Sequence, residues 1–370
     1  MASKNIAKRP DGRYRARYRD EAGREHSKSF ARKVDARRWL DEVTASVVTG
    51  QYVDPRAGSV TLRDYAERWR SVQVHRPSSQ AHVETMLRRH VYPVLGDRKL
   101  SSILPSDVQA LVKSLPLAPS TVAVVHGILS GVMRSAVRDR RIVLNPCEGT
   151  RLPKVERKRV IPLTTEQVAL VRDAMPDRLR ALVTFAAGTG LRQGECLGLT
   201  VDRLDFLRRV VTVDRQLVTV TGSGPRLGPP KTTASVRTVP LPHVVVDAMA
   251  AQLAAYPVDD GGLVFTLEGS QPITRGSFGH LWRPAARAAG LPAGTGLHAL
   301  RHYYASLLIR HGESVKVVQA RLGHANAAET LDTYSHLWPD SDDQTREAID
   351  SVLGTETELL ADPVRTNSGR

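Results

Sequence analysis

Between residues 60 and 145 the apolar residues recur at helical spacing, and no strand pattern interrupts them. On either side of that stretch, segments appear that alternate with period two. A chain whose periodicity changes in this way folds as several domains rather than one. Its length of 370 residues agrees, giving two or three domains. Residues 13–19 read Arg-Tyr-Arg-Ala-Arg-Tyr-Arg. As a strand they place Arg13, Arg15, Arg17 and Arg19 on one face, and Tyr14, Ala16 and Tyr18 on the other. Asp11-Gly12 and Glu21-Ala22-Gly23 read as hairpin turns, and residues 24–30 as a further strand. A helix follows with Ala36, Trp39, Leu40, Val43 and Val47 along one stripe. The sheet face offered to solvent is then all arginine, and such a row repels itself unless a polyanion lies there.

Residues 50–58 are turn-rich and read as a linker. In the helical stretch, Thr61 caps a helix carrying Leu62, Tyr65, Ala66 and Trp69. Residues 79–90 form another, and Pro105 opens a third as a first-turn proline. The longest helix covers 119–138, with Val122, Val125, Ile128, Leu129 and Val132 as its stripe. Its basic end carries Arg134, Arg138, Arg140 and Arg141, and Asn145-Pro146 and Gly149 stop the block. A second basic linker covers 151–160. Beyond Thr164 helices fit 165–175, 178–187, 243–254, 277–289, 298–311, 315–322 and 329–336. Strands fit 209–213, 217–221 and 236–240. The expected fold is therefore multidomain. Residues 1–50 form a small α+β domain of sheet and helix, and 60–147 an all-α domain. Residues 160–340 form a mixed, mainly α domain with a small antiparallel sheet. Residues 341–370 form a tail, in which 342–353 is a short amphipathic helix with Ala348, Ile349, Val352 and Leu353 on one face.

The chain carries 53 Lys+Arg against 38 Asp+Glu, a formal charge of +15. Residues 1–40 hold 13 basic and 5 acidic groups, a local +8, while 340–370 hold 3 and 8, a local −5. A basic head suits a polyanion such as nucleic acid, although a solubilising excess would read the same. No apolar run approaches the roughly 20 residues of a membrane helix. The first residues contain no apolar core of a secretory signal. Cys147 and Cys196 are too few for a disulfide framework or a four-thiolate zinc site. A cytoplasmic, reduced protein with no membrane partner is expected.

Two segments imitate nucleotide-binding loops and fail. Gly188-Thr-Gly190-Leu-Arg-Gln-Gly194 follows a helical run where the dinucleotide fingerprint needs a strand. In Gly224-Pro-Arg-Leu-Gly228-Pro-Pro-Lys231, Pro229 and Pro230 remove the N–H donors from which a phosphate nest is made. His298 and His302 stand at i and i+4 on a helix, but no glutamate lies between them and no third metal ligand is evident. No metal and no cofactor are expected. A different set is coherent. Arg192 starts a helix with Glu195 one turn on, and Lys231 lies in a polar turn between strands. His298 and Arg301 share a helix face, His324 follows a glycine, and Tyr334 comes ten residues later. Arginines can neutralise a phosphoryl transition state. A histidine can move a proton, a lysine can protonate a leaving alkoxide, and a tyrosine can be a covalent nucleophile.

The segment Gly188-Thr-Gly-Leu-Arg192-Gln-Gly-Glu195-Cys-Leu-Gly-Leu199 resembles the first signature box of the tyrosine recombinases, the phage integrase family. His298-Ala-Leu-Arg301-His302 resembles the second box, and Leu322-Gly-His324 with Tyr334-Ser-His336 the third. Lys231 falls where the family places its hairpin lysine. Val201 stands where many members have Trp, a difference of core rather than of chemistry. The helical block is similar to the family's core-binding domain. The N-terminal sheet and helix resemble the arm-binding domain of phage and conjugative-element integrases.

The resemblance implies a site-specific recombinase that integrates or excises a mobile element. Tyr334 would form a 3′-phosphotyrosine link and free a 5′-hydroxyl, with no metal and no ATP. Arg192 and Arg301 would clamp the phosphate, His298 accept a proton and His324 hydrogen-bond the phosphate. Lys231 would protonate the leaving 5′ oxygen, and Glu195 would orient Arg192 or its helix. Arg13, Arg15, Arg17, Arg19, Arg134 and Arg138 are the candidate DNA contacts. The implied partners are double-stranded attachment sites, a homotetramer on DNA, and accessory bending and directionality proteins. Three alternatives stand beside this reading: a catalytically silent DNA-binding regulator, a chromosome or plasmid resolvase of the same family, and a metal-dependent nuclease, against which no acidic cluster with magnesium spacing appears.

Overall fold

Residues 5–19, 23–48, 57–156, 159–220, 223–259, 261–338, 346–347 and 349–353 are described by a computed structural model. The chain divides into two units, residues 1–157 and 158–370. In the first, β1 (Ile6–Lys8), β2 (Tyr14–Arg19) and β3 (Glu25–Phe30) form an antiparallel meander in that order. Helix α1 (Lys33–Val48) covers one face. Alternation in β2 buries Ala16 and Tyr18 along with Ala36 and Leu40 of α1. The Tyr18 and Phe30 rings each lie 5.5 Å from that of Trp39. Arg15, Arg17 and Arg19 stay exposed, as does Arg13 just ahead of the strand.

That outer face is not all arginine, which corrects the expectation drawn from β2 alone. The register of β3 sets Ser29, Ser27 and Glu25 beside Arg15, Arg17 and Arg19. Arg15 donates to Ser27 Oγ at 2.9 Å, and Arg17 lies 3.7 Å from Glu25. Which residues flank a strand depends on pairing register, and a single strand does not reveal it. The turn residues Glu21 and Ala22, the side chain of Val47 and most of the 50–58 linker lie outside the described residues. Gly58, expected in that linker, is instead buried in a 3₁₀ turn, Ala57–Ser59. A Cβ there would stand 2.8 Å from the Arg141 carbonyl oxygen.

The helical block begins at α2 (Leu62–Ser71), where Thr61 Oγ1 accepts from the Asp64 N–H at 3.1 Å. Helix α3 (Pro77–Met86) runs into one π turn, Leu87–Val91, and then α4 (Tyr92–Leu95). Pro93 lacks the N–H an α ladder would use, which accounts for the bulge one turn ahead of it. Helix α5 (Pro105–Ser114) starts on its proline, and Asp107 accepts from the Leu104 N–H at 2.8 Å. Helix α6 (Pro119–Arg138) buries Val122, Val125, Leu129, Val132 and Met133 against the other helices. By length and composition α6 could cross a membrane, so the expectation that no such apolar run exists is corrected. Its buried stripe is that of a core helix. Arg134 and Arg138 are exposed at its end, with Arg138 donating to Ser135 Oγ at 3.1 Å.

In the second unit, α7 (Thr165–Ala174) and α8 (Asp177–Thr189) pack together, and α8 also meets α10 (His243–Ala255) and α12 (His298–Arg310). Leu179, Leu182, Val183, Phe185 and Ala186 of α8 lie in the main core. Strands β4 (Leu204–Asp205), β5 (Val210–Val213) and β8 (Arg237–Pro240) form a small antiparallel sheet. A hairpin of β6 (Gln216–Val220) and β7 (Ser223–Gly228) lies between β5 and β8 in sequence. The remaining helices are α9 (Gln193–Leu197), α11 (Arg275–Ala288), α13 (Val315–Leu322) and α14 (Ala327–Tyr334). Val201 packs against the core. In the tail, residues 346–347 and 349–353 are helical, with Ile349, Val352 and Leu353 exposed; 342–345 and Ala348 lie outside the described residues.

Candidate active site

Helix α8 ends at Gly190, whose left-handed φ of +65° closes the helix. A Cβ at that position would collide with the Tyr304 ring, so the glycine is required by both conformation and space. The chain then turns through Arg192 into α9. Glu195, three residues on, reaches back to accept the Arg192 N–H at 2.9 Å, a local arrangement that starts the helix. The Arg192 guanidinium donates from Nη1 to Glu195 Oε1 at 3.1 Å and Ser235 Oγ at 3.2 Å, and from Nη2 to the Gly323 carbonyl at 3.1 Å. Arg301, fully buried on α12, donates to the carbonyls of Gly190 at 2.8 Å and Leu322 at 2.7 Å. Two guanidiniums thus hold consecutive carbonyls just ahead of His324.

His324 is buried, with Nδ1 2.8 Å from Thr330 Oγ1. Its ring lies parallel to that of Tyr334, at 6.5 Å between centroids. Tyr334, at the end of α14, is 1% exposed, and its hydroxyl lies 2.8 Å from His302 Nδ1. His298, one turn before His302, sets its ring edge-on to it at 4.7 Å and keeps an exposed side at the start of α12. The structure therefore brings together Arg192, Glu195, His298, Arg301, His324 and Tyr334. It does not join Lys231 to them. That side chain is exposed on the loop after β7, with no hydrogen bond or ion pair among the described residues. Its loop is tied down four residues later, at Ser235.

Sequence reasoning missed Arg237. This residue of β8 donates to both Glu195 oxygens, at 2.9 and 3.4 Å, and to the carbonyls of Arg321 at 2.8 Å and Ser235 at 2.9 Å. It also missed the link from His302 to Tyr334. Neither the spacing of His302 from His298 nor its place in the second box points to Tyr334, and Arg237 lies 42 residues from Glu195.

Two guanidiniums, those of Arg192 and Arg237, pair with one buried carboxylate. Burial would raise the Glu195 carboxyl, but the Arg237 hydrogen bond and charge, with those of Arg192, hold it below its ordinary value. Burial and the charge of Arg192 bring Arg301 down to about 10. Removal of water, then Arg301 and Arg192, lower His298. Burial, His298 and Arg301 bring His302 to about 4. Burial and the arginines bring His324 to about 3, so it is neutral beside Glu329 at 3.7 Å. Burial raises Tyr334 to about 12. The site is thus a positively charged recess around a protonated phenol, with neutral histidines, and it suits an oxyanion. Among the described residues no group of three or more His, Cys, Asp or Glu is arranged to hold a metal ion.

Residues 161–340 match the Phage integrase family, 5–49 the phage integrase N-terminal domain, and 61–152 the phage integrase central domain. The prophage phiRv2 integrase of Mycobacterium tuberculosis is 28% identical over 340 residues, covering 88% of this chain and 89% of its own. The XerC-like tyrosine recombinase of Caldanaerobacter subterraneus is 28% identical over 372 residues, covering 90% and 94%. Among solved structures, the Tn1549 transposon integrase in complex with a circular intermediate DNA is similar with a TM-score of 0.68. Its identity is 24%, with 80% of this chain and 100% of that one covered.

Proposed function

The chain belongs to the phage integrase family of tyrosine recombinases, and we propose that it cuts and rejoins DNA through Tyr334. It is a site-specific recombinase of a phage or other mobile element. The observation that carries the assignment of the nucleophile is the Tyr334 hydroxyl, buried beside Arg301 and hydrogen-bonded within a cluster of histidines. Its oxygen attacks a scissile phosphate, forms the 3′-phosphotyrosine and releases the 5′ oxygen. Arg192 and Arg301 are already fixed by carbonyls on one side, and their remaining N–H groups are free to meet the nonbridging oxygens. His324, its Nδ1 oriented by Thr330, hydrogen-bonds the phosphate, and His298 does so at the open side. Lys231 supplies the proton to the 5′ oxygen as its loop closes on DNA. Glu195 and Arg237 keep Arg192 in position.

The freed hydroxyl then attacks the phosphotyrosine of a partner strand, so bond energy is conserved without ATP. Two such exchanges on four strands require four protomers. A lambda integrase tetramer bound to a Holliday junction has a similar fold, with a TM-score of 0.59 and 19% identity over 88% of this chain and 96% of that one. The tail from residue 341 connects protomers, and bending and directionality proteins set the direction of the reaction. The exposed Arg13, Arg15, Arg17 and Arg19 bind arm DNA, while Arg134 and Arg138 bind beside the crossover. These events occur in the host cytoplasm.

The assignment is tested by incubating the protein with nicked attachment-site DNA and resolving covalent adducts on a denaturing gel. The wild-type protein forms the adduct, with or without EDTA. Tyr334→Phe binds the DNA and forms none. An adduct from that variant would remove Tyr334 from the mechanism, and a wild-type protein that binds without reacting would be a regulator.

A further inference from the structure

The arrangement around the nucleophile contains three histidines, and only one of them touches the reacting oxygen. His302 Nδ1 lies 2.8 Å from the Tyr334 hydroxyl, and the two rings meet edge to face at 5.6 Å. His324 has its Nδ1 at Thr330 and its ring stacked parallel to the phenol. His298 contacts the His302 ring and has no hydrogen bond to Tyr334. We propose that His302 accepts the proton of the Tyr334 hydroxyl as the nucleophile attacks, the role that family resemblance gives to His298. This inference rests on the assignment of Tyr334 as nucleophile.

The direction of the hydrogen bond follows from the protonation of the pair. Tyr334, raised to about 12, keeps its proton, and His302, lowered to about 4, is neutral. The hydroxyl therefore donates, and Nδ1 accepts with the ring proton on Nε2. The acceptor's position is well determined. His302 follows the buried Arg301 on α12, and His298 packs against the ring from the preceding turn.

The step balances. The bond from Oη to phosphorus forms while the Oη proton passes to Nδ1. The bond from phosphorus to the 5′ oxygen breaks, and that oxygen takes a proton from Lys231. In rejoining, the phenol leaves phosphorus and recovers its proton from His302. At rest the pair is far too mismatched for transfer, so the free enzyme holds no tyrosinate. A bound phosphate changes both sides of this balance. Its negative charge offsets Arg192 and Arg301 and makes His302 more basic, while bonding to phosphorus makes the phenol more acidic. The proton moves only when DNA is in place.

The test is single-turnover cleavage of a nicked substrate by the full-length protein. His302→Ala is expected to bind DNA normally and to cleave about 10²–10⁴-fold more slowly, the usual loss of a general base. Added imidazole should restore most of that loss. His302→Asn places a hydrogen-bonding group near Nδ1 but takes no proton, and should stay as slow as the alanine variant. His298→Ala should gain nothing from imidazole. Cleavage by His302→Ala at close to the wild-type rate would overturn the proposal. So would recovery of that rate by His302→Asn, which would make His302 a holder of the phenol, or imidazole rescue confined to His298→Ala. Nitrogen NMR of the wild-type protein provides a check that needs no variant. An unprotonated Nδ1 on His302 supports the proposal, and a protonated Nδ1 overturns it. If the wild-type protein itself forms no adduct on DNA, the assignment of the nucleophile fails instead.

Discussion

Glu195 sits 4% exposed with Arg192 on one side and Arg237 on the other. A carboxylate so placed is costly to leave unpaired, and removing one partner of a buried pair destabilises strongly. Arg237→Ala leaves Arg192 as the remaining partner, so the loss falls toward the low end of the usual range, about 3 kcal/mol. Denaturant unfolding would measure it. DNA cleavage should fall as well, because Arg192 loses the carboxylate position that fixes its guanidinium. The same residues make acid destabilising. Glu195 is held below its ordinary value, so its contribution is present above the unfolded carboxyl range and lost as pH falls through the folded one. His324 titrates near 3 when folded and near 6.5 when unfolded, so its neutral form stabilises the fold above 6.5. That stability is lost progressively as pH falls from about 6.5 toward 3. Melting temperature should therefore be level above pH 7 and fall below it. His324→Asn should flatten the upper part of that fall, and an unchanged slope would mean the histidine is not buried neutral.

At the scale of elements, the ends of several helices were legible because their signals are local. Pro105, Pro119, Thr61 and Thr164 each begin or cap the helix their own side chain predicts. Three of the site's segments were legible as boxes through their resemblance to the family, each being a short contiguous run. The spacing of Arg192 and Glu195, or of His298 and Arg301, placed only those pairs on one helical turn. Strand β7 was not legible. Its Gly224, Pro225 and Gly228 carry little strand preference, and only pairing with β6 makes it a strand. The π turn before Pro93, and Arg237 reaching across to Glu195, likewise depend on contacts that no short window holds. Lys231 belongs to this scale, because a loop rather than a helix carries it. It stands exposed, while Ser235 in the same loop is buried against Arg192. A lysine on such a loop can act only once DNA draws the loop in, and the role proposed for it is to give the proton to the 5′ oxygen. Lys231→Ala should cleave slowly on ordinary DNA and at near the wild-type rate on a 5′-bridging phosphorothiolate, whose sulfur leaves without a proton. If the sulfur substrate brings no recovery, another residue is the acid.

Across the whole molecule, charge and domain order point the same way. The basic head, 13 Lys/Arg against 5 Asp/Glu in residues 1–40, coincides with the sheet and helix that match the phage integrase N-terminal domain. Its exposed Arg15, Arg17 and Arg19 share a face with two serines and one glutamate. That composition lowers the repulsion of a bare arginine row and leaves hydroxyl donors among the guanidiniums, as a surface touching phosphates and base edges requires. If the N-terminal face holds arm DNA as proposed, the two DNA sites on one chain reinforce each other through effective concentration. A protein beginning at Thr61 should therefore still cleave a crossover site, while losing its footprint on distal sites. Its salt dependence should also change by a countable amount. If those three arginines each meet one phosphate, the slope of log K against log salt flattens by about 2–3 on their removal. Arg17 can exchange its 3.7 Å partner Glu25 for a phosphate, since both side chains are 44% exposed. Arg15→Ala, Arg17→Ala and Arg19→Ala together in the full-length chain should reproduce that change without deleting the domain. A triple variant with an unaltered slope and footprint would mean that this face does not meet DNA.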